Sequence, residues 1–425
     1  MKNFVFISPH FPNTYWRFVQ GLVKNGFRVL GIGDCPYDQL SNELKQYLTE
    51  YYACYNMEDF EEEARAVAYF ENKYGHIDYL ESNNEYWLQR DAWLRDRFNI
   101  TTGVNSKDIE IYQHKSMMKA CFQKAGVKTA KYILVDTYEN LKKFADEVGF
   151  PIFAKPDRGV GAAGDYKIKN LDDLNRFFNE KDPNVPYIVE QFVTGNIVSF
   201  DGVSDSQGNV LFATSEFFPP SIADILQQQL DVFYYCLPKV PDDLAEIGPR
   251  VIKAFNVRNR FFHIEFFRLS QDIKGLGKKN EIVALETNMR PPGGYTPDLL
   301  NFANSVNCYQ IWADSMAFDE NRQVMTYPKF YAGVASRRFK NEYFYSDEDI
   351  ARTFHDNLCA TGVYPPILAD CMGDKYYMAK FWTLEELKVF EAYVARRVGE
   401  PVKDIKTEKK NNKKEPICDT HVDGA

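Results

Sequence analysis

Short runs of apolar residues recur along this chain with two different periods, and the alternation between them predicts the architecture. Phe4-Val5-Phe6-Ile7 reads as a buried strand, Tyr15 to Asn25 has helical spacing, and Gly26 to Gly33 is a second strand ending in glycine. This is a βαβ unit, and it predicts a small parallel-sheet domain over roughly residues 1–106. Ile77 to Leu80 extends the pattern as a strand and Tyr86 to Phe98 as a helix. From Asp108 to Ala125 the spacing predicts an amphipathic helix that carries Lys115 and stops at Gly126. Strands follow at Lys131–Val135 and Phe150–Lys155, with a helix at Asp136–Val148 between them, and another strand at Tyr187–Gly195. Ile197–Val203 and Asn209–Ala213 read as a hairpin around Ser206-Gln207-Gly208, and Asp243–Phe255 as a helix.

The most informative stretch is Phe261 to Gly294. Two apolar runs, Phe261–Phe267 and Ile282–Asn288, flank a Gly/Lys-rich turn, so they should pair as neighbouring strands. Strand alternation puts Glu286 and Asn288 on one face, with Glu265 available from the partner strand. Charges inside an aromatic run are costly unless paired or bound to a cation, and oxygen-only donors suit Mg²⁺. Arg290 follows immediately and suits a phosphoryl group or a carboxylate. A half-exposed hairpin whose acids face water is the competing reading.

The remaining elements are a helix from Leu299 to Phe318, strands at Tyr327–Ser336 and Lys375–Phe381, and helices at Asp347–Cys359 and Leu384–Arg397. These give a small α/β cap. Expected domain boundaries are 1–106, 107–190, 191–326 and 327–400, followed by a Lys-rich disordered tail over 401–425.

Composition narrows the function. A net charge of −9 argues against nucleic acid as a partner, and no run of 18 apolar residues is present, which argues against a membrane span and for a cytoplasmic protein. The 8 cysteines form no Cys-x-x-Cys pair, so a zinc site is not expected. With 27 Tyr and 33 Phe, a homodimer built on aromatic surfaces is a further expectation.

Four features remain outside the hairpin. Lys155 ends a strand and runs into Gly159, Gly161 and Gly164, a loop whose backbone amides could cradle phosphate or which could be a plain surface turn. The hinge after Glu190 could offer its backbone to a purine edge, with Phe192 and Val193 as walls. Glu85 is either a carboxylate at a helix start or a substrate or interface group, and residues 215–238 are either a lid or a packed excursion.

Taken in order, Lys115, Lys155 with its glycine loop, the Glu190–Val193 hinge, Glu265, Glu286-x-Asn288 and Arg290 resemble the ATP-grasp superfamily, in particular its carboxylate–amine ligases. The resemblance covers about residues 1–400 and implies an α/β (α+β) ATP-grasp fold with an N-terminal parallel α/β domain and a C-terminal cap. It implies that Lys115 and Lys155 contact ATP phosphates under the Gly159–Gly164 loop, and that Glu190 and Val193 bind adenine through their backbone. Asp201 or His263 would lie near the ribose, while Glu265, Glu286 and Asn288 would hold Mg²⁺, as two ions, with Mn²⁺ the alternative. Arg290 would steady the transferred phosphoryl group or its acceptor. The implied activity is ATP-dependent joining of a small carboxylic acid, such as an amino acid, to an amine with release of ADP and phosphate. A bicarbonate-phosphorylating enzyme and a non-catalytic ATP-binding regulator are the alternatives. The loop departs from the family in carrying Val160, Ala162 and Ala163 rather than serines, and Arg290 to Asp298 resembles the amino-acid ligase side most.

Overall fold

A computed structural model of the chain describes residues 1–159, 164–219 and 230–399, which divide into two compact units. The first unit comprises Met1–Ser215, Val240–Pro297 and Asn307–Gln323. It opens with a four-stranded parallel sheet in the order Glu50–Ala53, Arg28–Gly33, Asn3–Ile7, Tyr79–Glu81. Its strands are apolar on both faces because both are covered. Val5, Ile7, Leu30 and Ile32 bury against Val67 and Phe70 of the helix Phe60–Tyr74. Phe4 and Phe6 meet Trp312 of the helix Cys308–Phe318 edge-on, at 5.8 and 6.2 Å between ring centroids. That helix lies so near Trp16–Lys24 that a Cβ on Gly21 would come within 2.9 Å of Ala313 Cβ, which is why the position takes glycine.

A second, antiparallel sheet runs in the order Tyr132–Leu134, Tyr187–Gln191, Ile152–Pro156, Tyr166–Ile168. The helix Tyr138–Val148 packs on it through Leu141, Phe144 and Ala145, capped by Thr137, whose hydroxyl accepts from the Asn140 amide. The third element of this unit is the antiparallel set Ile282–Asn288, Phe261–Leu269, Gly195–Ser204 and Val210–Thr214.

The second unit, Glu216–Lys239, Asp298–Val306 and Val324 onward, carries an antiparallel sheet in the order Glu216–Phe218, Phe233–Cys236, Tyr331–Arg337, Lys375–Phe381, Leu358–Val363. Ile350, Phe354, Leu387, Phe390 and Val394 fill its core from the helices Asp347–Thr353 and Leu384–Ala395 and the turn that follows the first of them.

Three sequence expectations need correction. The helix expected over Asp108–Ala125 is a 3₁₀ turn at Ile109–Tyr112 and a separate helix at Lys115–Lys124. The helix expected over Leu299–Phe318 breaks at Ser305, which has φ 53°, and restarts behind Asn307, whose side chain accepts from the Gln310 amide. The helix expected to reach Cys359 stops at Thr353, and Leu358–Val363 is an edge strand with no hydrophobic alternation to announce it. Within 215–238, read from sequence as either a lid or a packed excursion, Glu216–Phe218 and Phe233–Cys236 pair as strands. Residues 220–229 of that stretch, Gly161 and the 401–425 tail lie outside the described residues. No helix among the described residues is long and apolar enough to cross a membrane.

Candidate active site

The 261–269 and 282–288 strands pair antiparallel with Glu265 opposite Glu286 and His263 opposite Asn288, so all four side chains share one face. The register shifts between Glu265 and Phe266, a bulge next to the acidic pair. Like charges directly opposite on paired strands repel, and an oxygen-only set of Glu265, Glu286 and Asn288 fits a hard divalent cation that would relieve that repulsion. On the far side of this strand Asp201 lies opposite His263 and Ser199 opposite Glu265. Asp201 is fully buried; it accepts from the Ser199 hydroxyl and lies 2.5 Å from His263 Nδ1. His263 Nε2 is 3.4 Å from Glu265. Burial would lower the imidazole pKa, but Asp201 and then Glu265 outweigh it and raise it to about 10. The two carboxylates thus favour the protonated ring.

Lys155 sits near the end of the strand Ile152–Pro156 and is 4% exposed. Its Nζ is 3.3 Å from Glu190 Oε2, while Lys119 Nζ is 2.8 Å from Glu190 Oε1 and donates to the Leu285 carbonyl at 3.4 Å. Burial raises the Glu190 pKa, yet the two ammonium groups overcome it and hold the carboxyl at about 2. Lys115 donates to the Gly159 carbonyl at 3.0 Å. It is set there by Asp157, whose carbonyl accepts from the Lys115 amide and whose carboxylate accepts from the Ser116 amide at 2.8 Å and hydroxyl at 3.0 Å and meets His114 Nδ1 at 3.0 Å. Asp157 thus acts as an N-cap supplied from another segment, which explains why the helix starts at Lys115. Gly159 and Gly164 take φ of 132° and 84°, left-handed values that favour glycine. Asp165 behind them is pushed up to about 6 by burial, against the pull of Lys155 and Lys115.

The hinge 192–194 connects the strands Tyr187–Gln191 and Gly195–Ser204. Lys167 Nζ lies 4.2 Å from the Phe192 ring centroid. The Val193 side chain instead packs with Ala130, Leu269, Leu276 and Val283.

Several groups escaped the sequence. Glu190 was noticed for its backbone, whereas its side chain carries the lysine pair; Lys119, one turn beyond Lys115, was the available signal. Glu81 binds both Arg95, at 2.9 Å, and Arg260, all three within 3% exposure. Arg260 also donates to the Met289 carbonyl at 2.8 Å, next to Arg290. Asn83 is fully buried with φ 53° and neither amide atom hydrogen-bonded. Glu85 Oε2 likewise makes no hydrogen bond and lies 3.8 Å from Arg290 Nε. Burial raises the Glu85 carboxyl pKa, with Arg290 acting against it.

Residues 120–291 match the model of the ATP-grasp domain. Alanine–anticapsin ligase of Bacillus subtilis is 25% identical over 260 residues, covering 57% of this chain and 54% of that protein. The chain thus spans about half the length of this curated relative. The crystal structure of L-amino acid ligase from Bacillus licheniformis superposes with a TM-score of 0.68 at 15% identity, covering 93% of this chain and 97% of that one. N5-carboxyaminoimidazole synthetase from Staphylococcus aureus, solved with ADP, superposes with a TM-score of 0.65 at 16% identity, covering 91% of this chain and 95% of that one.

Proposed function

We propose, on the premise that this chain belongs to the ATP-grasp superfamily, that it is an ATP-dependent ligase coupling a small carboxylic acid, an amino acid by preference, to an amine. The observation that carries this reading is the acidic pair Glu265 and Glu286 facing each other across paired strands, with Arg290 two residues beyond Asn288. The names of the relatives support it. The relative named for joining alanine to anticapsin and the neighbour named an L-amino acid ligase both favour an amino acid substrate.

In the proposed reaction an oxygen of the substrate carboxylate bonds to the γ-phosphorus of ATP as the bond to the bridging oxygen breaks, releasing ADP. The amine nitrogen then bonds to the acyl carbon, the carbon–oxygen bond to phosphate breaks, and the amine gives up a proton. Lys155 and Lys115 offset phosphate charge, and Arg290 would steady the accepting acid or the transferred group. Glu265, Glu286 and Asn288 would hold Mg²⁺, as two ions or with Mn²⁺ in its place, and the metal would supply charge neutralisation at the phosphates. Glu85, beside Arg290 and without a hydrogen bond at Oε2, suits an ammonium group, so the pair offers opposite charges to the two ends of an amino acid. The Gly159–Gly164 loop and the 190–193 hinge would take the nucleotide, with Asp201 and His263 in the same strand layer as the metal acids. Action in the cytoplasm and as a homodimer completes the proposal; light scattering tests the latter.

Incubation with Mg²⁺, ATP and pooled amino acids and amines should release ADP and phosphate, and hydroxylamine should trap the activated acid as a hydroxamate. Release of AMP and pyrophosphate would overturn the acyl-phosphate route. ATP cleavage that depends on bicarbonate and not on amino acids would favour the carboxylase alternative.

A further inference from the structure

We propose that Lys119 is a positioning residue of the nucleotide site, neutralising Glu190 so that the charge of Lys155 remains available to phosphate. This rests on the ATP-dependent reading above. Lys119, Lys155 and Glu190 are 1%, 4% and 5% exposed, so none of them can settle its charge with solvent. Two ammonium groups surround one carboxylate, each taking a different oxygen, at 2.8 Å for Lys119 and 3.3 Å for Lys155. The shorter contact belongs to Lys119, which is 1% exposed and has a further polar contact on the Leu285 carbonyl.

Without Lys119, Glu190 and Lys155 would be a closed neutral pair in a dry setting. Lys155 would then be held by Glu190 with the full strength of a low-dielectric attraction, and an incoming phosphate would have to compete for it. With Lys119 present, Lys119, Lys155 and Glu190 together carry one surplus positive charge, which is shared with Glu286, whose charge acts on both lysines. Lys119 lies four residues after Lys115, on the same face of the helix Lys115–Lys124, so one short helix supplies both the lysine at Gly159 and the one that discharges Glu190.

Calorimetric titration of ADP with Mg²⁺ into wild type, Lys119→Met, Glu190→Gln and the double variant tests this. Lys119→Met should weaken ADP by about tenfold or more, the effect of losing one partner of a close buried charge pair. Glu190→Gln alone should tighten ADP, and adding it to Lys119→Met should recover most of the loss. A purely structural contact predicts the reverse, since the double variant removes two hydrogen-bonding partners instead of one. Lys119→Arg should bind ADP more tightly than Lys119→Met. Wild-type affinity in Lys119→Met, a double variant as weak as the single, or weaker binding in Glu190→Gln would each overturn the assignment. Glu190→Gln still decides the matter if Lys119→Met does not fold. Failure of wild type to bind ADP would instead remove the ligase proposal on which the inference rests.

Discussion

Glu265 and Glu286 stand directly opposite each other on adjacent antiparallel strands, a like-charge pair whose repulsion is offset by His263, 3.4 Å from Glu265, and by Lys119 and Lys155, on which Glu286 acts. The expected outcome of Glu286→Gln follows from both halves of that statement. Metal-free protein should change by no more than about 1 kcal/mol, because the lost cross-strand repulsion is offset by the lost attraction to Lys119 and Lys155. Turnover should fall by about a hundredfold or more, the scale of losing one electrostatic group at a reacting centre. Thermal melting with and without Mg²⁺ separates the effects: Mg²⁺ should raise the melting temperature of wild type and not of the variant. Equal Mg²⁺ stabilisation in both would remove the metal assignment.

Glu81 makes the opposite prediction. It is the shared partner of Arg95 and Arg260, whose guanidinium groups are each 1% exposed. Burial would raise its carboxyl pKa, but Arg260 and Arg95 outweigh it and hold the group below the usual range. Glu81→Gln leaves two buried cations without their common counter-charge, and the expected loss is about 3–5 kcal/mol in urea unfolding. Because Arg260 also holds the Met289 carbonyl, the variant should lose activity through displacement of Arg290 even where it stays folded.

What could be read from sequence follows a physical division. The hairpin was legible because Glu265, Glu286 and Asn288 interrupt aromatic and aliphatic runs, and interruptions of that kind are local facts. Both βαβ strands and the helix read as Asp136–Val148 were legible for the same reason: their apolar periodicity lies within a few residues. Lys119 was not, since a lysine on an amphipathic helix reads as solvated until Glu190, on a distant strand, arrives beside it. The break before Lys115 was hidden likewise, because its cap comes from Asp157 rather than from the preceding residues. Leu358–Val363 lies at a sheet edge, where partial exposure erases the alternation that announces a strand.

Asp157 offers a test of how far that remote cap serves the nucleotide site. Asp157→Ala removes the acceptor for the Ser116 amide and hydroxyl together with the His114 contact. A loss of about 1–2 kcal/mol is expected from the missing cap. Lys115 should no longer be fixed at the Gly159 carbonyl, so the KM for ATP should rise several-fold while the KM for the amine stays near its wild-type value. A stability loss with no change in the KM for ATP would mean that the cap serves the fold alone.

Glu63 carries the pH dependence that can be separated from catalysis, since it lies on the helix Phe60–Tyr74 of the parallel-sheet domain, fully buried, with neither carboxylate oxygen hydrogen-bonded. Burial raises its pKa from 4.5 to about 8, with Arg90, 3.8 Å away, only partly opposing. Below about pH 4.5 the group is protonated in both the folded and unfolded chain and contributes no slope. Between about 4.5 and about 8 the folded protein holds a proton that the unfolded chain has released, so stability from this group declines as pH rises through that window. Glu63→Gln keeps the shape, removes the titration, and should flatten the slope, making the variant more stable than wild type by on the order of 3 kcal/mol at pH 8 and nearly equal to it at pH 5. Denaturant unfolding at the two pH values checks this, and parallel slopes in wild type and variant would mean that Glu63 is ionised in the folded protein.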